Sequence, residues 1–207
     1  MGRPMLWRYE RMANAMGYQV VAGVDEVGMG PLAGPVVGGA VVLPIGVKIS
    51  GLDDSKLLKF ADRERLDVII RRKAVAVSVC AVDHVQVCTL GLTRARQLAT
   101  AGAVAGLGVP AEYLLVDAFD VPHAPLPQLA VVKGDRTCAS IMAASIVAKV
   151  ARDRAMIDYD RMYPGYGFAG HKGYATRAHK LAILRLGPSP IHRTTWQPFR
   201  DFIAAAN

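Results

Sequence analysis

Short apolar runs recur along the chain and predict strands. Residues 18–24, 36–43 and 74–82 are rich in valine and alanine and almost free of charge, which is typical of buried strands. Two shorter runs, at residues 113–116 and 129–132, predict two more strands. The first two runs are joined by a turn that is too short to hold a helix, so we expect them to pair antiparallel.

Longer amphipathic segments lie between these runs and predict helices. Residues 62–72 and 93–105 carry apolar side chains at helical spacing. A longer helix is predicted from residue 137 to about residue 162, with an apolar first half and a charged second half. Strands that alternate with helices in this way predict an α/β fold, in which helices flank a mixed β-sheet.

The end of the chain differs from the rest in its charge. Residues 171–207 carry six lysine or arginine side chains and one acidic side chain. We therefore expect a C-terminal helical, basic subregion at residues 166–207 that binds substrate, beside a core formed by residues 1–165. The two parts are expected to form a single compact unit.

One long stretch of the chain is free of charge. Residues 27–47 contain no charged side chain, and 21 apolar residues are enough to span a bilayer. Six glycines and three prolines interrupt this stretch, and each of them weakens a helix. The stretch is therefore predicted to belong to a buried β-hairpin and not to a transmembrane helix.

Composition narrows the class of protein further. With 207 residues, of which 52% are hydrophobic, the chain has enough apolar material for a substantial core. The net charge of +8 predicts a polyanionic partner, such as nucleic acid or an anionic membrane surface. Three cysteines without a CxxC spacing indicate neither a disulfide framework nor a zinc cluster, and no apolar secretory segment opens the sequence. We therefore expect a cytoplasmic protein.

Acidic residues stand near the ends of three predicted strands. Asp25 and Glu26 directly follow the first strand, Asp117 follows the fourth, and Asp135 comes shortly after the fifth. Neighbouring side chains of a strand point to opposite faces, so we expect the glycine-rich stretch after Glu26 to bend the chain and turn both acids to one point. Carboxylate oxygens gathered in this way are the ligands of a hard divalent cation such as Mg²⁺.

Each of these features also has a purely structural interpretation. An acid after a strand is an ordinary turn or helix N-cap residue, and Asp135 precedes a predicted helix. Gly28-Met29-Gly30 lacks the GxGxxG and GK[ST] patterns of nucleotide-binding loops, so it is either a bare turn or a place where the backbone approaches a ligand. Lys56, in the sequence DDSK, either follows a helix N-cap or contacts phosphate.

The histidines and serines do not form a known catalytic pattern. No HExxH sequence is present, which argues against a zinc protease. Three of the five histidines lie in the basic C-terminal region, where we expect them to face phosphate. Ser140 and Ser145 lie in the long predicted helix without a GxSxG sequence, so a serine hydrolase is not supported.

Five segments together resemble the type 2 ribonucleases H (ribonuclease HII). VAGVDEVGMGPLAGPVV resembles the DEAGRG-type opening of that family, and DDSKLL resembles its DSKxL segment. KGDRTCASIMAASIVAKVARDRAM resembles its KGD…AASIxAKVxRDxxM block. YPGYGFAGHKGYATRAH and GPSPIHRTTWQP are similar to its C-terminal pattern. The resemblance extends from about residue 20 to residue 199, in the order of the family.

The resemblance implies a fold, an active site and a reaction. The fold would be a ribonuclease H-like mixed sheet, and the catalytic residues Asp25, Glu26, Asp117 and Asp135 would hold two Mg²⁺ or Mn²⁺ ions. One ion would activate water, and the other would stabilise the departing 3′ oxygen. The enzyme would cut the phosphodiester 5′ of ribonucleotides in RNA–DNA hybrids and 5′ of single ribonucleotides in duplex DNA, leaving 3′-hydroxyl and 5′-phosphate ends. Asp153 matches the family block and is expected either to be structural or to support other residues of the site without binding the ions itself.

The resemblance also implies how substrate is bound. The glycines of Gly28-Met29-Gly30 would contact the ribose 2′-hydroxyl through the backbone, and Tyr174 would stack on the next sugar. Met29 stands where the family usually has arginine, and Ala118 follows Asp117 where the family commonly has glycine. Further substrate contacts are predicted at a set of basic residues, namely Lys56, His171, Lys172 and Arg193.

Nucleic acids are the partners that the sequence predicts. The predicted partners are RNA–DNA hybrid and ribonucleotide-containing duplex DNA, with no membrane and no second copy of the chain. The N-terminal domain of type 3 enzymes does not fit into the 24 residues before Asp25, which favours type 2. Two alternatives are a module that binds hybrid without cutting it, and another metal-dependent nuclease of ribonuclease H-like fold, such as a resolvase or integrase.

Overall fold

The strands of the protein form one mixed sheet. The computed structural model describes residues 6–53, 55–56, 58–121 and 124–205. The strands in these residues are β1 (Val21–Val27), β2 (Val36–Val42), β3 (Ala76–Val82), β4 (Tyr113–Asp117) and β5 (Gln128–Val131). Their order in the sheet is β3-β2-β1-β4-β5. All five predicted strands are confirmed, although β1 begins and ends three residues later than predicted.

The pairing of the strands explains why the sheet is mixed. β1 and β2 pair antiparallel, as do β2 and β3. β4 runs parallel to both β1 and β5. Helices lie between β1 and β4 in the sequence, whereas the described residues between β4 and β5 contain no helix. The antiparallel hairpin predicted for the uncharged stretch is thus confirmed. In the described residues, no helix is long and apolar enough to cross a membrane.

Helices cover both faces of the sheet. In chain order they are α1 (Arg8–Ala15), α2 (Phe60–Lys73), α3 (His84–Leu90), α4 (Leu92–Ala105), α5 (Gly134–Thr137), α6 (Ala139–Met162), α7 (Phe168–His171), α8 (Arg177–Leu186) and α9 (Gln197–Ala204). The three predicted helices correspond to α2, α4 and α6. The short helices α1, α3 and α5 were not predicted, because a few turns of helix leave little periodicity to detect.

Two glycines of β2 show which helix lies on which face. A Cβ on Gly39 would lie 2.5 Å from the carbonyl oxygen of Ala144 on α6, and a Cβ on Gly38 would lie 2.4 Å from that of Ala99 on α4. The two helices therefore approach opposite faces of β2 more closely than a side chain permits. The apolar first half of α6 is buried among side chains of α2 and the sheet.

The start of α6 is fixed by a buried acid of α1. Glu10 is 1% exposed, and its Oε1 accepts hydrogen bonds from the backbone N–H and the hydroxyl of Ser140, both at 2.9 Å. A carboxylate at this position satisfies an unpaired N–H and interacts favourably with the helix dipole. The N-terminal helix thereby holds the segment that follows Asp135.

Candidate active site

Asp25 and Glu26 lie inside β1 and not beyond its end. In the antiparallel pairing Asp25 is opposite Gly39 and Glu26 is opposite Gly38. Cross-strand partners share a face, so Asp25 points to the α6 face and Glu26 points to the α4 face. The predicted bend that turns both acids to one point is therefore wrong. The parallel pairing of β1 with β4 stops at Val24, which leaves both acids beside the end of β4.

Asp25 is a buried carboxylate held by two hydrogen bonds. It is 6% exposed, and its Oδ1 accepts the backbone N–H of Glu26 at 2.7 Å. The hydroxyl of Ser145 on α6 donates the second hydrogen bond. Burial raises the pKa of Asp25 well above its ordinary value, and the negative charge of Glu26 raises it further. The folded protein therefore binds a proton or a cation here more readily than an exposed aspartate does.

Glu26 has one oxygen without a protein partner. Its Oε2 is buried and accepts no hydrogen bond from the described residues. Burial raises the pKa of Glu26, while the positive charge of Arg96 on α4 opposes this shift. A buried, unpaired carboxylate oxygen is costly in an apolar environment unless a cation or a donor approaches it.

Asp117 is the last residue of β4. Its Oδ1 accepts the backbone N–H of Gly134 at 2.8 Å. Burial raises the pKa of Asp117, and the charge of Asp135 adds to the shift. The next residue, Ala118, has φ of 58°, and this left-handed conformation costs a residue with a Cβ roughly 1–2 kcal/mol. The departure from the glycine common in the family is thus accommodated with strain.

Asp135 lies in α5, four residues beyond the end of β5. The chain reaches it through Lys133, which has φ of 56°. Asp135 therefore lies shortly after the fifth strand, as predicted, but it belongs to a helical turn. Its Oδ2 lies 2.7 Å from the Nζ of Lys56, whose side chain is two-thirds exposed at 67%. The predicted phosphate contact Lys56 thus faces an acid of the site in this structure.

We call Asp25, Glu26, Asp117 and Asp135 the carboxylate cluster. The negative charges of its members act on one another. Asp117 raises the pKa of both Asp25 and Glu26, and Asp135 raises the pKa of Asp117. No three acidic, histidine or cysteine side chains among the described residues converge closely enough to enclose an ion as they stand. The donor set, all carboxylate oxygen with one buried oxygen unpaired, nevertheless fits a hard divalent cation.

Residues 28–35 form the glycine turn, which connects β1 to β2. Gly28 has φ of 101°, and a Cβ on it would lie 2.5 Å from the carbonyl oxygen of Pro35 and 2.6 Å from Nε of Arg152. Only glycine fits this position, because both the backbone conformation and the close approach exclude a side chain.

Two buried arginines hold the glycine turn. Arg152 on α6 donates hydrogen bonds to the carbonyls of Pro35, Ala33 and Lys172 at 3.0–3.1 Å. Arg193 donates to the carbonyls of Gly34, Pro31 and Pro35 at 2.9–3.0 Å. Both side chains are 0% exposed. The predicted phosphate contact of Arg193 is therefore wrong for this structure, because every nitrogen of its guanidinium already binds the turn.

Arg193 remains positively charged at neutral pH although it is buried. Desolvation lowers the pKa of Arg193 to about 9, and the neighbouring Arg152 guanidinium lowers it in the same direction. At neutral pH both arginines remain protonated and keep all their hydrogen-bond donors. Planar guanidinium groups with fixed donors suit this role, since each one fastens several carbonyls of a tight turn at once.

Gly30 and Tyr174 face each other across a narrow gap. A Cβ on Gly30 would lie 3.8 Å from Cε1 of Tyr174. Both residues are exposed, Tyr174 to 42%. The guanidinium carbon of Arg152 lies 5.9 Å from the centre of the Tyr174 ring, so one arginine supports both sides of the gap. Met29 packs instead against an apolar cluster that includes Val36 and Val87, and it contributes no charge.

The histidines of the C-terminal region support the backbone around Tyr174. Gly173 N–H donates to Nδ1 of His171 at 3.1 Å, and Nε2 of His171 lies 2.8 Å from the carbonyl of Tyr166. Both ring nitrogens of His171 are thus bound to the backbone. Lys172 is half-buried, and its Nζ donates to the carbonyl of Ala169. In this structure the predicted phosphate contacts His171 and Lys172 are therefore occupied within the protein.

His179 and His192 are neutral at physiological pH. Burial lowers the pKa of each to about 4. Ser189 N–H donates to Nδ1 of His192 at 2.8 Å, so the proton of His192 is on Nε2, which lies 3.0 Å from Nε2 of His179. His179 then carries its proton on Nδ1 and donates it to the carbonyl of Tyr174 at 2.9 Å. These histidines anchor Tyr174 and do not face phosphate, contrary to the prediction.

Comparison with known proteins identifies the family. A sequence model described as Ribonuclease HII matches residues 22–199. A ribonuclease HII of Geobacter sulfurreducens is 47% identical over 201 residues, which cover 97% of this chain and 93% of the relative. The chain belongs to the ribonuclease HII family. It is therefore an endoribonuclease, a hydrolase of phosphodiester bonds.

Solved structures agree with this membership of the ribonuclease HII family. The ribonuclease H2 from Pyrococcus horikoshii OT3 superposes with a TM-score of 0.76 at 26% identity, covering 90% of this chain and 98% of that one. A Bst ribonuclease HIII in complex with Mn²⁺ shares the fold, with a TM-score of 0.67 at 20% identity over 94% of this chain and 72% of that one. The ribonuclease H-like fold expected from the sequence is thus confirmed.

Three residues of this ribonuclease HII site were not predicted from the sequence. Arg96 balances the charge of Glu26, Ser145 binds Asp25, and Arg152 fastens the glycine turn. Ser145 and Arg152 are polar residues within a helix whose neighbouring positions are apolar, and that contrast is a usable indication of a buried hydrogen-bonding role. Arg96 lies in an ordinary amphipathic helix and carries no such indication.

Proposed function

We propose that this chain cuts the phosphodiester on the 5′ side of ribonucleotides, both in RNA–DNA hybrids and at single ribonucleotides within duplex DNA. The products are a 3′-hydroxyl and a 5′-phosphate. The observation that carries the proposal is the proximity of two features in one chain. The members of the carboxylate cluster raise one another's pKa, and Gly30, at the exposed gap to Tyr174, follows Glu26 of this cluster by only four residues.

The carboxylate cluster is proposed to hold two Mg²⁺ or Mn²⁺ ions. Bound there, the ions supply positive charge to the attacking and leaving oxygens of the phosphodiester. Asp25 and Asp117 are already oriented by hydrogen bonds from Ser145 and from Gly134. The unpaired oxygen of Glu26 is free to become a ligand. Lys56 neutralises Asp135 in this structure and is placed to contact a phosphate when it moves from that acid.

The gap between Gly30 and Tyr174 is proposed to recognise the ribonucleotide. The backbone of Gly28, Met29 and Gly30 offers polar groups to the ribose 2′-hydroxyl, which is the group that distinguishes RNA from DNA. The Tyr174 ring offers a flat surface for the following sugar. Because the recognition uses backbone atoms, the arginine that the family usually has at position 29 is dispensable for it.

The C-terminal part, residues 166–207, is proposed to hold the nucleic-acid backbone, while residues 1–165 carry the chemistry. Its basic side chains contact phosphates without reading sequence, so binding weakens steeply with salt. The protein is proposed to act as a monomer. The three cysteines are free thiols, which supports a reducing, cytoplasmic location.

A cleavage assay with three substrates tests the proposal. Duplex DNA with one ribonucleotide and an RNA–DNA hybrid are expected to be cut in the presence of Mg²⁺ or Mn²⁺, while all-DNA duplex stays intact. Asp117→Asn removes a charge from the cluster and is expected to reduce cleavage by at least about 100-fold. The exposed Asp120→Asn three residues later is the matched control and is expected to cut normally.

Three other outcomes of the cleavage assay would contradict the proposed function. Binding of hybrid without any cleavage would favour a binding module, and cleavage of all-DNA duplex would favour another type of nuclease. Equal activity of the Asp117→Asn variant and the wild-type protein would refute the assignment of the carboxylate cluster.

Tyr174 is expected to matter more for single ribonucleotides than for long hybrids. A lone ribonucleotide offers one correct junction, whereas a hybrid offers many overlapping sites, so loss of the ring costs the first substrate more. Tyr174→Ala is expected to lower kcat/KM on the single-ribonucleotide duplex about tenfold more than on hybrid, in line with the stacking energy of an aromatic ring. Tyr174→Phe keeps the ring and should retain most activity. Equal losses of Tyr174→Ala on both substrates would contradict a junction role.

A further inference from the structure

Two buried serines connect a surface loop to the carboxylate cluster. Ser55 lies in the loop before α2, Ser145 lies on α6, and their hydroxyl oxygens are 2.8 Å apart. The residues are only 3% and 5% exposed. Ser145 also hydrogen-bonds to the carboxylate of Asp25. A loop 90 residues away in sequence thus reaches an acid of the site through one intermediate side chain.

The number of protons fixes the direction of these hydrogen bonds. A serine hydroxyl has one hydrogen to donate, and an ionised carboxylate can only accept. When Asp25 is ionised, as it must be to bind a cation, the hydrogen of Ser145 is given to Asp25, and Ser145 accepts from Ser55. The two hydrogen bonds therefore run in series from Ser55 to Ser145 and from Ser145 to Asp25. Each of them strengthens the other, because the hydroxyl groups polarise one another.

Ser55 is held in place from its backbone side. Arg63 on α2 donates through Nη1 to the carbonyl of Ser55 at 3.1 Å, and through Nη2 to Asp153 on α6 at 3.0 Å. Asp153 is fully buried and also binds Lys149, which confirms its predicted structural role. The loop is thus fastened to α6 at two places, residue 145 and residue 153, about two helical turns apart.

We propose that Ser55 is a positioning residue for divalent-metal binding, which orients the Asp25 carboxylate through Ser145. The proposal rests on the proposed function of Asp25 as a metal ligand. A directional hydrogen bond to a carboxylate fixes the orientation in which the carboxylate meets a cation. Removal of such outer partners of metal ligands typically weakens metal binding by 10–100-fold. Lys56, the next residue, contacts Asp135, so the same loop touches acids on both sides of the cluster.

Titration of the metal-free protein with MnCl₂ in a calorimeter tests the proposal. Ser145→Ala is expected to weaken Mn²⁺ binding by about tenfold or more, and Ser55→Ala by about threefold to tenfold. The Ser55→Ala/Ser145→Ala double variant should bind as Ser145→Ala alone does, since Ser55 acts only through Ser145. Ser140→Ala, on the same helix but bonded to Glu10, is the matched control and should bind Mn²⁺ as the wild-type protein does.

A second pair of variants separates the hydroxyl from packing. Threonine and valine have nearly the same shape, so Ser55→Thr and Ser55→Val strain the buried loop alike and differ in the hydroxyl. Stronger Mn²⁺ binding by Ser55→Thr than by Ser55→Val supports the proposal. Equal affinities of this pair, or additive losses in the double alanine variant, overturn it.

One further variant distinguishes the two possible failures. Asp25→Asn is expected to lose a Mn²⁺ site. If Asp25→Asn binds Mn²⁺ like the wild-type protein, the proposed function of Asp25 fails. If Asp25→Asn loses the site while both serine variants keep it, only the positioning role of Ser55 fails.

Discussion

Asp25→Asn is expected to abolish cleavage and at the same time to raise the melting temperature of the metal-free protein. The reason is that burial raises the pKa of Asp25 well above its ordinary value. The folded state then binds this proton more tightly than the unfolded state, so stability falls as pH rises from the unfolded pKa to the folded pKa and stays lower above it. Asparagine has no charge to desolvate and removes this cost.

Thermal melting in EDTA measures the effect. For a chain of this size each kcal/mol shifts the melting temperature by about 2–4 °C, and we expect a rise of at least that size at neutral pH. The wild-type melting temperature should decline more steeply than that of the variant as pH increases from acid to neutral. Added Mn²⁺ should stabilise the wild-type protein, since a ligand that binds only the folded state raises stability, and should stabilise the variant less.

The exposed Asp120→Asn is the control for the general effect of removing a negative charge from this basic protein. Its melting temperature should stay close to that of the wild-type protein. A lower melting temperature for Asp25→Asn than for the wild-type protein in EDTA would show that the buried charge is not a source of instability.

Gly30→Ala is expected to leave the fold intact and to reduce cleavage at a single ribonucleotide by at least about tenfold, which corresponds to 1.4 kcal/mol of transition-state free energy. The added methyl carbon would lie 3.8 Å from the Tyr174 ring, an ordinary contact, and the backbone of Gly30 is not in the left-handed region. The methyl group would fill the gap between Gly30 and Tyr174, at whose mouth the ribose is proposed to lie. Single-turnover cleavage and thermal melting, measured on the same preparation, separate the two effects.

Two other glycines supply the controls for this experiment. An added Cβ on Gly108 would contact nothing within 4 Å, so Gly108→Ala should keep both stability and activity. Gly28→Ala should lose both, because its φ is 101° and the new Cβ would lie 2.5 Å from Pro35. Cleavage by Gly30→Ala at the wild-type rate would show that the ribose does not bind at the gap between the glycine turn and Tyr174.

The strands and the positions of the four acids near strand ends were predictable because they depend on local sequence. Runs of valine and alanine predict buried strands wherever they occur, and five such runs became the five strands of the sheet. The direction of Asp25 and Glu26 was not predictable in this way. It is decided by Gly38 and Gly39 on the neighbouring strand, where absent side chains let α4 and α6 approach opposite faces.

The roles of the basic residues were the least predictable. Arg193 lies in a basic part of the sequence, and this position favours the prediction of a phosphate contact. Its burial depends on carbonyl groups more than 150 residues earlier, at Pro31, Gly34 and Pro35, which no local pattern reveals. His179 and His192 were misjudged for the same reason, since their neutrality follows from burial and not from sequence neighbours.

The attachment of Arg193 to the glycine turn also has a consequence for biosynthesis. One of the two arginines that hold the turn is translated 159 residues after Gly34, whose carbonyl it binds. A nascent chain that still lacks Arg193 leaves the carbonyls of Pro31 and Gly34 without this donor, so the ribose-binding side of the site is not fixed. Contacts of such long sequence separation also slow folding, because the entropy of loop closure must be lost before they form. The ribose-binding side of the site is therefore completed only after a long intervening stretch of chain has been synthesised and folded.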